Sequence, residues 1–181
     1  MKLLLHTCCG PCTIFPLEQL RKENFEVMGF FYRHNIHPLS ECMKREETLK
    51  KYAQDSNLPM IWQKGYEMEE FLRKVCFRES NRCQICYYDR LYATVKIAKK
   101  GNFEYFSSTL LYSKQQNHEK IIETAKALGK QNGVKFYYKD FREGWNYGIE
   151  KSKELGMYRQ QYCGCIYSEK QRYIKMLDIK T

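Results

Sequence analysis

Several common features are missing from this 181-residue chain. No segment approaches the length and apolarity of a membrane span, and no polar tract is long enough to be disordered by composition. The apolar run in the opening MKLLLHTCC is too short for the h-region of a secretory leader. The turn after it carries neither GxxxxGKS/T nor GxGxxG, the glycine-rich patterns that cradle phosphates on backbone N–H groups. No internal repeat or linker divides the chain. These absences argue against a membrane protein and a phosphate-loop enzyme. The expectation is a soluble, cytoplasmic globule with a single catalytic domain over residues 1–181. A domain of that length builds its core without metal or disulfide support, so a bound metal is expected to be functional.

Cysteine, by contrast, is abundant. Six of the nine cysteines fall in three close pairs: Cys8-Cys9, Cys83-x-x-Cys86 and Cys163-Gly164-Cys165. A disulfide-stapled secreted domain is usually shorter and carries a leader, so these read as thiols in a reducing compartment, holding a metal or passing electrons. The formal charge is +10, from 31 Lys and Arg against 21 Asp and Glu, with 15 Tyr and 10 Phe interspersed. Basic groups neutralise phosphates and aromatic rings stack on bases, which makes RNA or DNA the leading polymeric partner. An ordinary solvated basic surface is the alternative.

Residues 2–7 read as a strand, followed by the tight turn CCGPC and a helix carrying Ile14, Leu17, Leu20 and Phe25, in which Pro16 is tolerable only in the first turn. Further strands are expected at 27–33, in MIWQ after Pro59, at 103–108 and at 134–140. Ser40 is expected to cap a helix with Met43, Leu49, Tyr52 and Ala53 as its apolar stripe. Other helices are expected at about 67–76, at 87–99 closed by Gly101, at 117–129 closed by Gly129, at 144–155 and at 168–178. The alternation predicts an α/β fold, a mostly parallel, Rossmann-like sheet flanked by helices, with a small helical insertion over 64–86. Loops at the carboxyl ends of such strands share one crevice, which would gather Cys8, Cys9, His34, Asn35, Ser107 to Thr109, Asp140 and Arg142.

Thiols beside a helix N-terminus are biased toward thiolates, suiting metal ligation or nucleophilic attack. Cys83 and Cys86 offer a two-ligand bite from a loop, and with Cys8 and Cys9 they make a four-thiolate set. Adjacent cysteines diverge, which fits the separate corners of a 4Fe-4S cube better than one zinc ion; structural zinc and unligated redox thiols stay open. Cys163 and Cys165 are too close for a relaxed disulfide, leaving a strained, readily reduced one or a pair of ligands to a second iron. Cys12 lies one helical turn beyond the first pair and is a candidate for the same crevice, while Cys42 and Cys76 read as small buried hydrophobes. His34 and His37 are candidates for substrate contact, His6 for a structural role, and His118 for a solvated one. Asp140 is a conceivable proton donor if desolvation raises its pKa, or else a partner of Arg142. Tyr158, Arg159 and Tyr162, just before the CxC pair, could stack on a base and hold phosphates.

Six stretches together resemble the QueH family of cobalamin-independent epoxyqueuosine reductases. They are LLHTCCGPC at 4–12, FFYRHNIHPLSE at 30–41, RCQICYYDRL at 82–91, FSSTLLYSKQQ at 106–116, FYYKDFR at 136–142 and YRQQYCGCIYS at 158–168. The resemblance implies reduction of epoxyqueuosine at the wobble position of a tRNA with a GUN anticodon, turning the cyclopentane epoxide into the alkene of queuosine with release of water. It implies an adenine-nucleotide-hydrolase-like sheet that has exchanged its phosphate loop for cysteines. It further implies a 4Fe-4S cluster on Cys8, Cys9, Cys83 and Cys86, and a redox-active pair at Cys163 and Cys165 with a disulfide state. A second, mononuclear iron is implied near Cys12, Cys163 and Cys165. Asn35, Arg142, Tyr158 and Arg159 are the expected tRNA contacts, with Asp140 in a catalytic role; the electron donor is unidentified, and a monomer is compatible with all of this.

Two other readings compete. A tRNA thiolation enzyme of the ATP-pyrophosphatase type would share the sheet and cluster cysteines but needs the phosphate loop that CCGPC does not supply. A zinc protein that binds RNA without catalysis is the second.

Overall fold

In β1 (Lys2–Thr7) the side chains of Leu3, Leu4 and Leu5 are all fully buried, so the strand has no solvent face. That pattern belongs to a strand covered by helices on both sides of a parallel sheet. The computed structural model, which describes residues 1–177, places β1 at the centre of five parallel strands. The others are β2 (Glu26–Phe31), β3 (Met60–Trp62), β4 (Tyr105–Ser108) and β5 (Lys135–Phe136), in the order β3-β2-β1-β4-β5. His6 stands opposite Phe30 on one neighbour and Ser108 on the other. Each fully buried leucine is worth roughly 1.5–3 kcal/mol over an exposed one, which anchors the strand that carries the first cysteines.

Among the described residues seven α-helices surround the sheet: α1 (Gly10–Lys22), α2 (Leu39–Asp55), α3 (Met68–Val75), α4 (Arg82–Lys100), α5 (His118–Asn132), α6 (Trp145–Glu154) and α7 (Ile166–Tyr173). α1 packs against α2 and α6, while α4 packs against α3 and α5. The chain leaves β1 toward β2 and later returns past it to β4, so strand order reverses between β1 and β4. Loops leaving two such strands diverge and open a crevice. Cys8 and Thr109 are the first residues beyond β1 and β4.

The elements differ from expectation in informative ways. α1 begins at Gly10, because Cys9 is the N-cap and its sulfur accepts the Cys12 N–H; Pro16 therefore sits inside the helix, not in its first turn. Ser40 is not a cap: α2 starts at Leu39 after Pro38. Met43 is 62% exposed, and the buried face of α2 runs through Cys42, Arg45, Leu49, Tyr52 and Ala53. α4 starts at Arg82 rather than at 87, so Cys83 and Cys86 stand on its first turns and not in a loop. Gly129 does not stop α5, which runs to Asn132 and is capped by Gly133 at φ 72°. A Cβ on Gly129 would lie 2.8 Å from the Val134 carbonyl, so that glycine serves a close approach instead. β5 is two residues long, and the last helix starts at Ile166 and continues as a 3-10 turn to Leu177; Asp178, the end of the expected helix, lies outside the described residues.

Candidate metal and redox centre

The floor of the site is the turn from β1 into α1. Gly10 lets this turn press on α2, since a Cβ there would meet Thr48 Cγ2 at 3.0 Å. The sulfurs of Cys8, Cys9 and Cys12 all lie within 4.8 Å of one another, a grouping able to hold a metal ion. Cys9 and Cys12 are buried and Cys8 is half-buried. Polar groups are aimed at each sulfur: Thr109 Oγ1 donates to Cys8 Sγ at 3.4 Å, and Gln160 Nε2 donates to Cys9 and Cys12 at 3.0 and 3.3 Å. The three thiols share their ionisation. Hydrogen bonds from Cys12 and Cys9 hold Cys8 well below the usual thiol range, with the Arg90 charge assisting. Burial raises Cys9, and donation to Cys8 raises Cys12. One thiolate supported by two thiols suits deprotonation by an incoming metal.

The second wall comes from α4. Arg90 is 3% exposed, and its guanidinium faces Cys86 Sγ at 3.3 Å, His6 Nε2 at 3.4 Å and the Asn35 carbonyl at 3.5 Å. Among the described residues it has no carboxylate partner. A buried guanidinium stays charged and is costly without a counter-charge, so the Cys8 thiolate is its natural complement. Burial and the adjacent Arg90 push His6 down to about 3, which keeps the ring neutral. Its Nδ1 then donates to Ser108 Oγ at 2.9 Å while Nε2 accepts from Arg90. Burial pushes Cys86 up to about 12 against the pull of Arg90. Cys83 precedes Cys86 by three residues, on the same helical face but more exposed.

Cys163 and Cys165 arrive on a loop that precedes α7. Arg45, 1% exposed, donates to the carbonyls of Cys163 and Tyr162 at 2.8 and 2.9 Å while its Nε pairs with Glu41 at 2.7 Å. The His37 N–H donates to the Gly164 carbonyl at 2.7 Å, and Tyr162 OH donates to the His37 carbonyl at 2.7 Å. Gly164 adopts φ 153° with the Arg45 Nη1 only 3.3 Å from where a Cβ would stand. The loop thus lies directly on a buried guanidinium. Gln116 Nε2 donates to Cys163 Sγ at 2.9 Å.

These parts enclose an open cavity of about 580 Å³ lined by Cys8, Cys12, Cys86, Cys163, Arg90, Thr109, Gln116, Trp145, Gln160, Tyr162 and Arg172, among others. Cysteines 155 positions apart in sequence therefore share one space. The structure places the other expected contacts as follows. Asn35 is 1% exposed and donates to Cys86 Sγ at 3.2 Å, so its amide nitrogen supports a sulfur. His37 bonds the His34 carbonyl at 3.0 Å and His34 accepts the Glu67 N–H at 2.9 Å, which commits both rings to local structure. Tyr158 donates to Glu41 and lines a separate groove beside α2, and Arg159 is exposed outside the cavity. Asp140 and Arg142 pair with each other at 2.5 Å, both about 40% exposed. The Arg142 hydrogen bonds hold Asp140 down to about 2, the opposite of what a proton donor needs. His118 is partly exposed beside Tyr138, Cys42 is buried as expected, and Cys76 is exposed.

Thr109 stands at the strand-end crevice as expected, while Arg45, Arg90, Gln116 and Gln160 are the polar groups that the sequence alone did not point to. A signal existed for two of them: Arg45 and Arg90 fall on the buried stripes of their helices, among Cys42, Leu49 and Tyr52 and among Tyr87, Leu91 and Thr94. Arginine at an apolar position marks a buried partner.

Comparisons with known proteins agree with this geometry. Residues 3–171 match the family model Epoxyqueuosine reductase QueH. The epoxyqueuosine reductase QueH of Dehalococcoides mccartyi is 38% identical over 174 residues, 96% of each chain. That of Thermotoga maritima is 37% identical over 187 residues, covering 98% of this chain and 95% of its own. That of Streptococcus pyogenes serotype M1 is 30% identical, covering 98% of this chain and 74% of its own. A solved structure, a predicted subunit of tRNA methyltransferase from Methanocaldococcus jannaschii, shares the fold at TM-score 0.54 and 10% identity, over 87% of this chain and 89% of that one. With a family match from the first strand into the last helix and relatives aligned end to end, this chain belongs to the QueH family of epoxyqueuosine reductases.

Proposed function

We propose that the chain reduces epoxyqueuosine in tRNA to queuosine at the cavity between β1 and β4. The observation that carries this reading is the convergence of Cys8, Cys12, Cys86 and Cys163 on one cavity, with Cys9 buried behind it, in a chain that matches a reductase family over nearly its whole length. The residues suit a thiolate-bound metal group. Their sulfurs receive neutral donors, and among the described residues the buried Arg90 has no carboxylate partner and the buried Asn35 Oδ1 has no partner, as in a site completed by a group from outside the chain. In this reading Cys8, Cys9, Cys83 and Cys86 would hold a 4Fe-4S cluster and Cys163 with Cys165 would be the redox-active pair; a second iron on Cys12, Cys163 and Cys165 is the alternative use of the same thiols. When bound, those groups supply single electrons and a Lewis acid for the epoxide oxygen.

The chain's own residues supply the rest. Conversion of an epoxide to an alkene and water consumes two electrons and two protons. Oxidation of the Cys163 and Cys165 thiols to a disulfide releases two of each, so the dithiol balances the reaction and an external electron donor must restore it. Arg90 fixes positive charge against the sulfurs, and Arg45 holds the dithiol loop over the floor. Exposed Lys and Arg, in a chain of formal charge +10, would hold the anticodon-arm phosphates of a GUN tRNA. The reading also includes an adenine-nucleotide-hydrolase-like, Rossmann-type sheet, supported by the β3-β2-β1-β4-β5 order, and a cytoplasmic setting, supported by nine unpaired thiols. No described helix is long and apolar enough to cross a membrane.

The test is to incubate anaerobically reconstituted protein with epoxyqueuosine-tRNA and a reductant and weigh the nucleosides. Loss of one oxygen supports the reading; its failure with a full metal complement overturns it.

A further inference from the structure

The cavity wall has an unusual composition. Gln115, Gln116, Gln160, Gln161 and Gln171, five of the chain's ten glutamines, line it, and no acidic residue among the described residues does. Two have evident work, since Gln160 and Gln116 donate to sulfurs. The other three touch no sulfur. Gln161 uses its Nε2 on the Arg159 carbonyl at 3.1 Å, leaving its Oε1 to accept, and the side chains of Gln115 and Gln171 have no hydrogen-bond partner among the described residues. All three are exposed at the rim.

We propose that Gln115, Gln161 and Gln171 form a neutral subsite that recognises the hydroxyl groups of a non-aromatic carbocyclic ring, and that they set specificity for it. The inference rests on the proposed reading, in which a ring-bearing tRNA nucleoside is the substrate. A hydroxyl both donates and accepts, and a primary amide offers both functions in one plane. A carboxylate only accepts, and beside thiolates and RNA phosphates it would add repulsion. Lysine would supply donors alone. A wall that must hold hydroxyls above an anionic floor is therefore best built from amides, and Trp145 supplies an apolar surface within the same cavity.

The experiment compares binding of the full-length protein to two anticodon hairpins, one with queuosine at the wobble position and one whose modified base lacks the ring. Each amide is expected to contribute roughly three- to tenfold, so the wild type should prefer the ringed hairpin by roughly 30- to 1000-fold. The triple variant Gln115→Met, Gln161→Met, Gln171→Met should bind both alike, with affinity for the ringless hairpin unchanged. Exposed rim positions keep these substitutions away from the core, and single variants should each remove part of the preference. Equal binding by the wild type, or a preference that survives in the triple variant, overturns the subsite. A wild type that prefers the ring yet never reduces the epoxide in a parallel assay supports the subsite and refutes the reaction.

Discussion

Cys9 is fixed by its own neighbourhood, its sulfur accepting the N–H of a residue three positions on, whereas Cys163 reaches the same cavity on a loop whose anchor, Arg45, lies 118 residues away. The first region is built from a fully buried strand and a helix N-terminus, and Cys9 and Cys12 are buried within it. The second has no regular structure before Ile166, leaves Cys163 exposed and hangs on side-chain donors to its carbonyls. A ligand platform needs sulfurs that hold their positions as a metal binds. A dithiol that cycles between thiols and disulfide needs access and a backbone able to yield. The contrast supports the proposed division, with the Cys8–Cys12 turn holding the metal group and the Cys163–Cys165 loop exchanging electrons.

The largest effect expected from breaking that contrast is at Cys9. Cys9→Ser should reduce bound iron, after anaerobic reconstitution, to background, since the loss of a ligand exceeds the roughly 10- to 100-fold weakening typical of outer-sphere changes. Cys163→Ser should keep most of the iron and the visible absorbance of the cluster while losing turnover. Iron and sulfide content per chain, read beside nucleoside mass, separates the two. If Cys163→Ser also emptied the site, both loops would be ligand platforms and the contrast would fail.

A smaller effect sharpens it. Arg45→Met strands the buried Glu41 and frees two carbonyls of the loop, a change that should cost about 3–5 kcal/mol in denaturant unfolding. Glu41→Gln added to it should restore part of that loss. In both variants Cys163 and Cys165 should alkylate several-fold faster in the metal-free protein, with Cys9 and Cys12 unchanged. Acceleration at all four would show that Arg45 braces the whole site and not the loop alone.

The same division explains what could be read from sequence. β1, the CCGPC turn and the start of α1 are specified by adjacent residues, so strand, turn and thiol cluster were all legible. The start of α4 was hidden because Asn81 makes no side-chain cap bond there, and the CxxC looked like a loop. Asn35 sits at a strand end as expected, but whether its amide meets a substrate or a sulfur depends on Cys86, 51 residues further on. Gln116 and Gln160 look like any polar surface residue until the fold sets them over thiols. Tyr158 and Arg159 were placed at the site by proximity to Cys163 in sequence, and an extended chain carries neighbours away within two or three residues.

The smallest effect concerns the strand-end pair that belongs to neither cysteine region. Arg142 holds the Asp140 carboxyl down to about 2, below the unfolded value of about 3.9. A depressed carboxylate contributes stability that is complete above its unfolded pKa and is lost as pH falls through the folded one. Both side chains are about 40% exposed, so solvent screens the pair and Asp140→Asn should cost under about 1 kcal/mol at pH 7. The gap between wild type and variant in urea unfolding should hold down to about pH 4 and close toward pH 2. Because this carboxyl is ionised through the neutral range, it has no proton to give, and Asp140→Asn should retain turnover within about twofold. A loss of 100-fold or more, with stability unchanged, would put a third region into the chemistry and leave the two cysteine loops an incomplete account of it.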